Sequence, residues 1–229
     1  MHTTGPQLLL LLDCETTGLD PDLDQLVEVG AVLFSVPHRA VLQQLSVLLP
    51  VEQNAAEAIN GISPAITHCS IAVDGFMALL VQLACSADAL VAHNAAFDRQ
   101  WLDPLLVTST KPWICTMSGI SWPDLRPNPS VTALALAHGI PVWAAHRALT
   151  DCSYLAQVLE RAPGLEDLLA EGLLPRSLCV ANVSFEQRQQ AKDHGFRWLP
   201  DRKQWQRELT EAQIDALPFN VTRLEPPPC

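Results

Sequence analysis

The sequence lacks the features that mark membrane, secreted and zinc-binding proteins. No apolar segment approaches the ~20 residues of a membrane span, and residues 1–4 lack the basic region of a signal peptide. The seven cysteines are an odd number without a closely spaced pair, so neither a disulfide framework nor a zinc site is indicated. We therefore expect a reduced, soluble, cytoplasmic protein with no membrane partner.

Basic residues are scarce and unevenly distributed. The net charge is −11, and residues 1–175 carry six Lys or Arg against eighteen Asp or Glu. Residues 176–207 carry seven Lys or Arg against three Asp or Glu. Nucleic acid favours basic partners, but acids that hold divalent metal ions present a partly inverted field to a phosphate. The overall acidity therefore does not exclude a nucleic-acid substrate.

The first apolar run consists of five leucines at residues 8–12, and it predicts a buried strand. Asp13 and Glu15 follow it two residues apart, so their side chains point to the same face of the strand. Two acids directed together at the edge of a core repel each other unless a cation lies between them. Taken alone, such a pair is more often two solvated acids on a loop.

Alternating strands and helices are predicted around a central mixed sheet, which is an α/β arrangement. Residues 26–34 and 40–49 complete an antiparallel meander with the first strand. Two more strands are predicted at 89–92 and 113–115, and helices are predicted at 55–59, 71–84, 95–107, 130–138 and 144–161.

Pro175 marks a predicted domain boundary. Residues 1–175 form the larger domain, and residues 176–224 form a small α+β module with strands at 178–183 and 204–209 around a helix at 185–194. Residues 225–229, Glu-Pro-Pro-Pro-Cys, are predicted to be a disordered tail.

Two further acids and one histidine lie next to turns or at the ends of predicted elements. Asp98 follows the buried strand at 89–92, and His146 and Asp151 lie near the start of the helix at 144–161. Singly, each has an ordinary explanation, such as helix-dipole chemistry for Asp98. Together, four carboxylates form an oxygen-rich site that suits Mg²⁺ or Mn²⁺. Two such ions favour phosphodiester hydrolysis, and a histidine is a suitable base near neutral pH.

Three motifs resemble those of the DEDDh (DnaQ-like) 3′–5′ exonucleases, in the same order and spacing over residues 7–161. They are Asp13-x-Glu15-Thr-Thr-Gly, His93-Asn94-x-x-Phe97-Asp98 and His146-x-Ala148-x-x-Asp151. Within that family, the chain looks most similar to the branch of bacterial exonuclease X and next to that of the polymerase epsilon subunit.

The resemblance implies a ribonuclease-H-like fold with a central five-stranded sheet and two Mg²⁺ or Mn²⁺ ions. It implies Asp13, Glu15, Asp98 and Asp151 as the metal ligands and His146 as the general base. The tyrosine variant of the family is excluded, since the only tyrosine, Tyr154, follows Asp151.

The same resemblance implies four substrate-binding residues. Thr17 would hold the terminal nucleotide, Leu19 and Ile62 would wedge against the last bases, and Asn94 would contact the phosphate backbone. An ordinary core position for Ile62 remains an equal alternative.

The C-terminal module interleaves aromatic and basic residues. Phe185, Phe196, Trp198 and Trp205 alternate with six Lys or Arg between residues 188 and 207. Such residues either stack bases and hold phosphates or form the core of a very small domain. The segment 191–205 resembles a small module of uncharacterised function that is appended to nucleic-acid-processing proteins.

The expected function is 3′–5′ exonuclease action on single-stranded or frayed DNA ends, which releases nucleoside monophosphates. Two alternatives remain. One is RNA 3′-end trimming, because the same site hydrolyses either backbone and only contacts to the 2′-OH separate the two. The other is a nucleic-acid-binding or scaffold protein that keeps the fold without the chemistry.

Overall fold

The computed structural model describes residues 5–69, 72–107 and 109–224. The larger sheet has five strands: β1 (Leu8–Thr16), β2 (Leu26–Ser35), β3 (Ala40–Leu48), β4 (Ala89–Ala92) and β5 (Trp113–Cys115). Their order in the sheet is β3-β2-β1-β4-β5. The meander strands β1 to β3 are antiparallel, whereas β4 and β5 run parallel to β1. The sheet is therefore mixed, as the sequence predicts.

Helices cover both faces of this sheet. They are α1 (Glu57–Asn60), α2 (Pro64–Thr67), α3 (Val73–Ser86), α4 (Ala95–Leu102), α5 (Val131–Ala137), α6 (Ala148–Arg161) and α7 (Leu165–Gly172). Because β1 is apolar on both sides, Leu9 and Leu11 face the core formed with α6, while Leu10 and Leu12 face the core formed with α3 and α4. None of the described helices has both the length and the apolar character needed to cross a membrane.

The start of α6 lies directly against β2 at Gly30, which pairs with Asp13 of β1. A β-carbon at Gly30 would overlap the backbone of Ala148 and Leu149. Glycine is the only residue that permits this approach without displacing the helix. The contact brings the first turn of α6, and with it Asp151, to the end of β1.

A second sheet forms the C-terminal unit. This unit contains four antiparallel strands and two short helices: β6 (Ser177–Ala181), α8 (Arg188–Asp193), β7 (Arg197–Leu199), β8 (Gln204–Leu209), α9 (Glu211–Asp215) and β9 (Val221–Arg223). The strands have the order β7-β8-β6-β9. The predicted α+β character is confirmed. The predicted tail, residues 225–229, lies outside the described residues.

Specific hydrogen bonds join this unit to the larger domain. The Asn128 side-chain amide donates to the Gly195 carbonyl at 2.7 Å. The Arg176 guanidinium donates to the Gly119 carbonyl at 2.5 Å and to the Gln213 side chain at 3.0 Å. The connection therefore runs through the loops that follow β5.

Several predicted boundaries differ from those observed. The helix predicted at 144–161 begins only at Ala148, and the one predicted at 95–107 ends at Leu102. Among the described residues, five short elements have no counterpart in the sequence prediction: α2, α7, β7, α9 and β9. Gly164, with φ of 63°, lies directly before α7 in the short link from α6.

Candidate active site

Asp13 and Glu15 lie at the end of β1, on the face that α6 covers. They continue the row of Leu9 and Leu11, whereas Cys14 between them points into the opposite core. Asp13 lines a small cavity of about 90 Å³ together with His93 and Asp151. Strand alternation alone therefore brings two acids to one edge of the core.

Asp98 reaches the same edge from α4. Its side chain is buried, and Oδ1 accepts hydrogen bonds from the Cys14 backbone N–H at 3.2 Å and from the Cys14 thiol at 3.4 Å. The helix starts after Asn94, whose φ of 89° turns the chain sharply out of β4. These two bonds fix Asp98 against the strand that carries Asp13 and Glu15.

His146 and Asp151 come from the start of α6. His146 has a left-handed backbone with φ of 61°, and its N–H donates to Asp151 Oδ2 at 3.3 Å. One ligand atom from each of Glu15, His146 and Asp151 lies within 4.8 Å of the other two. Asp13 shares a cavity with Asp151, and Asp98 is bonded to Cys14 between Asp13 and Glu15. The structure thus brings all five sequence-predicted catalytic residues to the end of β1, with Asp13 and Asp98 outside the group of three that lies within 4.8 Å.

The carboxylates of this cluster are hard to ionise in the metal-free protein. Burial, followed by the charges of Asp98 and Asp151, raises the pKa of Asp13 well above its usual value. Burial and the charges of Asp151 and Glu28 raise the pKa of Glu15 to about 8. Burial raises the pKa of Asp98 to about 7, and that of Asp151 also rises through burial. Burial is the cause that all four share, and repulsion from the neighbouring acids adds to it at Asp13 and Glu15.

The residues present fit a divalent cation. Asp151 Oδ1 is buried and has no hydrogen-bond partner among the described residues. A buried anionic oxygen without a partner is costly, and a cation coordinated by the four carboxylates would remove that cost and the repulsion together. Oxygen-only ligands suit Mg²⁺ or Mn²⁺.

Glu28 and Arg147 support the cluster, and the sequence analysis did not find them. Glu28, directly across the sheet from Glu15, accepts two hydrogen bonds from the Arg147 guanidinium at 2.9 and 3.0 Å. Its carboxylate also accepts from the Ser46 hydroxyl and the Ala148 backbone N–H. The pair therefore anchors the start of α6 to the sheet. An acid inside the apolar run of β2 was the signal that could have identified Glu28.

His93 holds the neighbouring loop and remains neutral. Its Nε2 lies 2.9 Å from the Pro129 carbonyl and its Nδ1 lies 3.0 Å from the Thr116 hydroxyl. Burial lowers the pKa of His93 to about 4. The geometry assigns the ring proton to Nε2, because a carbonyl only accepts. His93 therefore links the cavity beside Asp13 to the loop at Pro129.

The four sequence-predicted substrate residues differ in exposure. Leu19 is 81% exposed, and Asn94 lies half-buried at the start of α4. Thr17 is buried, and its hydroxyl accepts from the Gln25 backbone N–H at 2.9 Å. Ile62 is fully buried and packs with Val27 and Val51. Its side chain therefore does not reach the surface, which is the core position that the sequence left open.

A mixed sheet with clustered acids at the end of its central strand is the arrangement of a ribonuclease-H-like nuclease. A family model described as "Exonuclease" matches residues 10–159. The chain belongs to this exonuclease family. A second model, described as a domain of unknown function (DUF8626), matches residues 177–224.

Two curated relatives are DNA polymerase III components. The PolC-type polymerase of Thermotoga maritima is 27% identical over 188 residues, which are 69% of this chain and 12% of that protein. The epsilon subunit of Treponema pallidum is 28% identical over 149 residues, 61% of this chain and 68% of that protein. This chain thus corresponds to only a small part of the PolC-type enzyme.

Solved structures confirm the predicted ribonuclease-H-like fold. Exonuclease X in complex with 5′-overhanging duplex DNA is 26% identical, with a TM-score of 0.50 over 70% of this chain and 99% of that one. The zinc-bound complex of E. coli exonuclease I with single-stranded DNA is 18% identical, with a TM-score of 0.59 over 82% of this chain and 50% of that one.

Proposed function

We propose that the chain is a two-metal 3′–5′ exonuclease that releases nucleoside monophosphates from single-stranded or frayed DNA ends. The observation that carries the proposal is the convergence of four carboxylates and His146 at the end of β1. Membership in the exonuclease family supports hydrolysis of nucleic acid. The similarity to exonuclease X, which is described in complex with overhanging duplex DNA, supports DNA as the substrate.

In this proposal, Asp13, Glu15, Asp98 and Asp151 would hold two Mg²⁺ or Mn²⁺ ions. Bound ions of this kind stabilise the attacking and leaving oxygens of a phosphodiester. His146, which is exposed and adjacent to Glu15 and Asp151, accepts the proton of the attacking water. The bond from its backbone N–H to Asp151 keeps it at the rim of the cluster.

Substrate positioning is assigned to three residues around the cluster. Leu19 is exposed, and it would lie against the terminal bases. Asn94 at the start of α4 would contact the phosphate backbone, and Thr17 would hold the terminal nucleotide through its backbone and the loop that it orders. Residues 1–175 are proposed as the exonuclease domain and residues 176–224 as an appended module.

The test uses single-stranded DNA, frayed duplex DNA and RNA, each labelled at the 5′ or the 3′ end. We expect a ladder of 5′-labelled DNA products that requires Mg²⁺ or Mn²⁺ and disappears with chelator. Asp13→Asn and Asp98→Asn should abolish it, whereas Asp74→Asn, an exposed acid of α3, should not. Digestion that survives excess chelator or starts at the 5′ end would overturn the proposal. Faster digestion of RNA would assign the alternative substrate.

A further inference from the structure

The aromatic residues of the C-terminal unit divide into two groups. Phe196 is buried and packs edge-on against Phe219 at 5.6 Å between ring centroids. In contrast, Phe185 is 74% exposed and Trp198 is 47% exposed. The core of this small unit therefore uses only some of its aromatic side chains. The exposed ones need another explanation, because large exposed apolar groups that cluster mark interaction sites.

The exposed rings line one groove of about 590 Å³ on the surface of the small sheet. Trp198 and Trp205 lie side by side, with centroids 5.6 Å apart and planes inclined by 55°. In the same lining, the Arg188 guanidinium lies 3.8 Å from the centre of the Phe185 ring. Lys203 lies at the same groove. The lining thus alternates flat aromatic faces with positive charges.

We propose that this groove binds single-stranded DNA and thereby holds the strand whose 3′ end is being digested. Bases stack on aromatic side chains whatever their sequence, while basic residues contact the phosphates. The charge distribution supports this occupant, since residues 176–207 are basic in a chain whose net charge is −11. The role as a strand holder rests on the proposed exonuclease function, whereas the binding itself does not.

The groove belongs to the same continuous structure as the carboxylate cluster. The Asn128 side chain bonds to Gly195, which is three residues before Trp198. The next residue, Pro129, accepts a hydrogen bond from His93, which lines the cavity with Asp13. Chain and contact lengths along this path sum to at most roughly 35 Å. Even at the compact spacing of duplex DNA, about 3.4 Å per nucleotide, a strand of about ten nucleotides covers such a span.

The experiment measures binding of the full chain to a fluorescent oligothymidylate of 20 nucleotides in excess chelator, which prevents metal-dependent digestion. Trp198→Leu keeps an apolar side chain but removes the ring, and Trp198→Phe retains a ring. Loss of one stacked base costs about 5-fold to 150-fold in affinity. We expect Trp198→Leu to weaken binding of the 20-mer by about ten-fold and Trp198→Phe to weaken it less.

The basic residues are tested by an adjacent pair. Lys203 lines the groove, whereas Arg202 is exposed and does not. Lys203→Gln should flatten the dependence of log affinity for the 20-mer on log salt by about 0.7, and Arg202→Gln should leave it nearly unchanged. The thermal midpoint of each variant checks that the small unit remains folded.

Two results would overturn the inference. They are unchanged 20-mer affinity in folded Trp198→Leu, and equal salt slopes for Lys203→Gln and Arg202→Gln. The first would favour a docking surface for protein. Neither of them bears on whether the carboxylate cluster hydrolyses DNA, so the two proposals fail separately.

Discussion

Replacing Arg147 with alanine should destabilise the protein through Glu28. The Glu28 side chain is 2% exposed, so it cannot recover solvation once its cationic partner is gone. Removal of one partner from a buried ion pair typically costs about 3–5 kcal/mol. Glu28 retains the Ser46 hydroxyl and the Ala148 N–H as donors, and the Arg147 side chain is 43% exposed. We therefore expect a loss of about 3 kcal/mol in the free energy of unfolding, at the lower end of that range.

The surface pair Arg223–Glu211 provides the control. It also has two guanidinium–carboxylate bonds, at 2.7 and 2.6 Å, but both side chains are more than half exposed. Arg223→Ala should cost at most about 1 kcal/mol. Urea unfolding in chelator gives both free energies. In thermal unfolding, the Arg147→Ala loss corresponds, for a chain of this length, to a thermal midpoint lowered by about 6–12 °C.

A double-mutant cycle separates the lost attraction from the stranded charge. Glu28→Gln removes the charge and keeps an acceptor oxygen, so the double variant Arg147→Ala/Glu28→Gln should be more stable than Arg147→Ala alone. If Arg147→Ala costs no more than Arg223→Ala, or if the double variant is the least stable of the set, the reasoning from burial is refuted.

Three other predictions follow from the cluster and its surroundings. In chelator, burial raises the pKa of Asp98 to about 7, so this group favours the folded state less as pH rises from 4 to 7. Asp98→Asn should therefore raise the thermal midpoint at pH 8 more than at pH 5, and an equal effect at both would contradict the raised pKa that burial gives this group. His146→Ala should lower kcat by about 10²–10⁴-fold while DNA affinity in chelator stays constant, and a change confined to affinity would remove His146 from the chemistry. Ile62→Ala should cost about 2–5 kcal/mol of stability, whereas Leu19→Ala should leave stability unchanged and raise KM; comparable destabilisation of the two would contradict their observed burial.

The strands of the larger sheet were the most predictable part of the fold, and the reason is local. In β1 the leucine run is buried on both faces, and the period of two that buries Leu9 and Leu11 also directs Asp13 and Glu15. The helix cap at Ser130 is equally local, because its hydroxyl accepts from the Ala133 N–H at 3.1 Å. Patterns confined to a few neighbouring residues are visible in the sequence.

The start of α6 shows where local patterns fail. Residues 144–147 favour a helix by composition, yet the Tyr154 hydroxyl accepts from the N–H groups of Trp143 and Ala144 and donates to the Ala144 carbonyl. These tertiary bonds satisfy the backbone without a helix. His146 can then adopt its left-handed conformation beside Asp151.

Contacts between distant residues were also beyond the sequence. Glu28 and Arg147 are 119 residues apart, and no pattern along the chain relates them. Likewise, the aromatic residues of the C-terminal unit have similar sequence surroundings, although Phe196 is buried and Phe185 is exposed. Only the three-dimensional arrangement divides them into core and groove.

The close approach of α6 to Gly30 makes the spacing of the acids depend on a missing methyl group. Asp13 belongs to the sheet and Asp151 to the helix. The distance between the sheet and the helix is set by the contact between the backbone of Gly30 and the backbone of residues 148 and 149. Gly30→Ala would lift the helix away from the sheet and separate the two halves of the cluster while leaving all four acids in place. Such a protein would keep all three sequence motifs, yet its acids would be too far apart to bind the same metal ions.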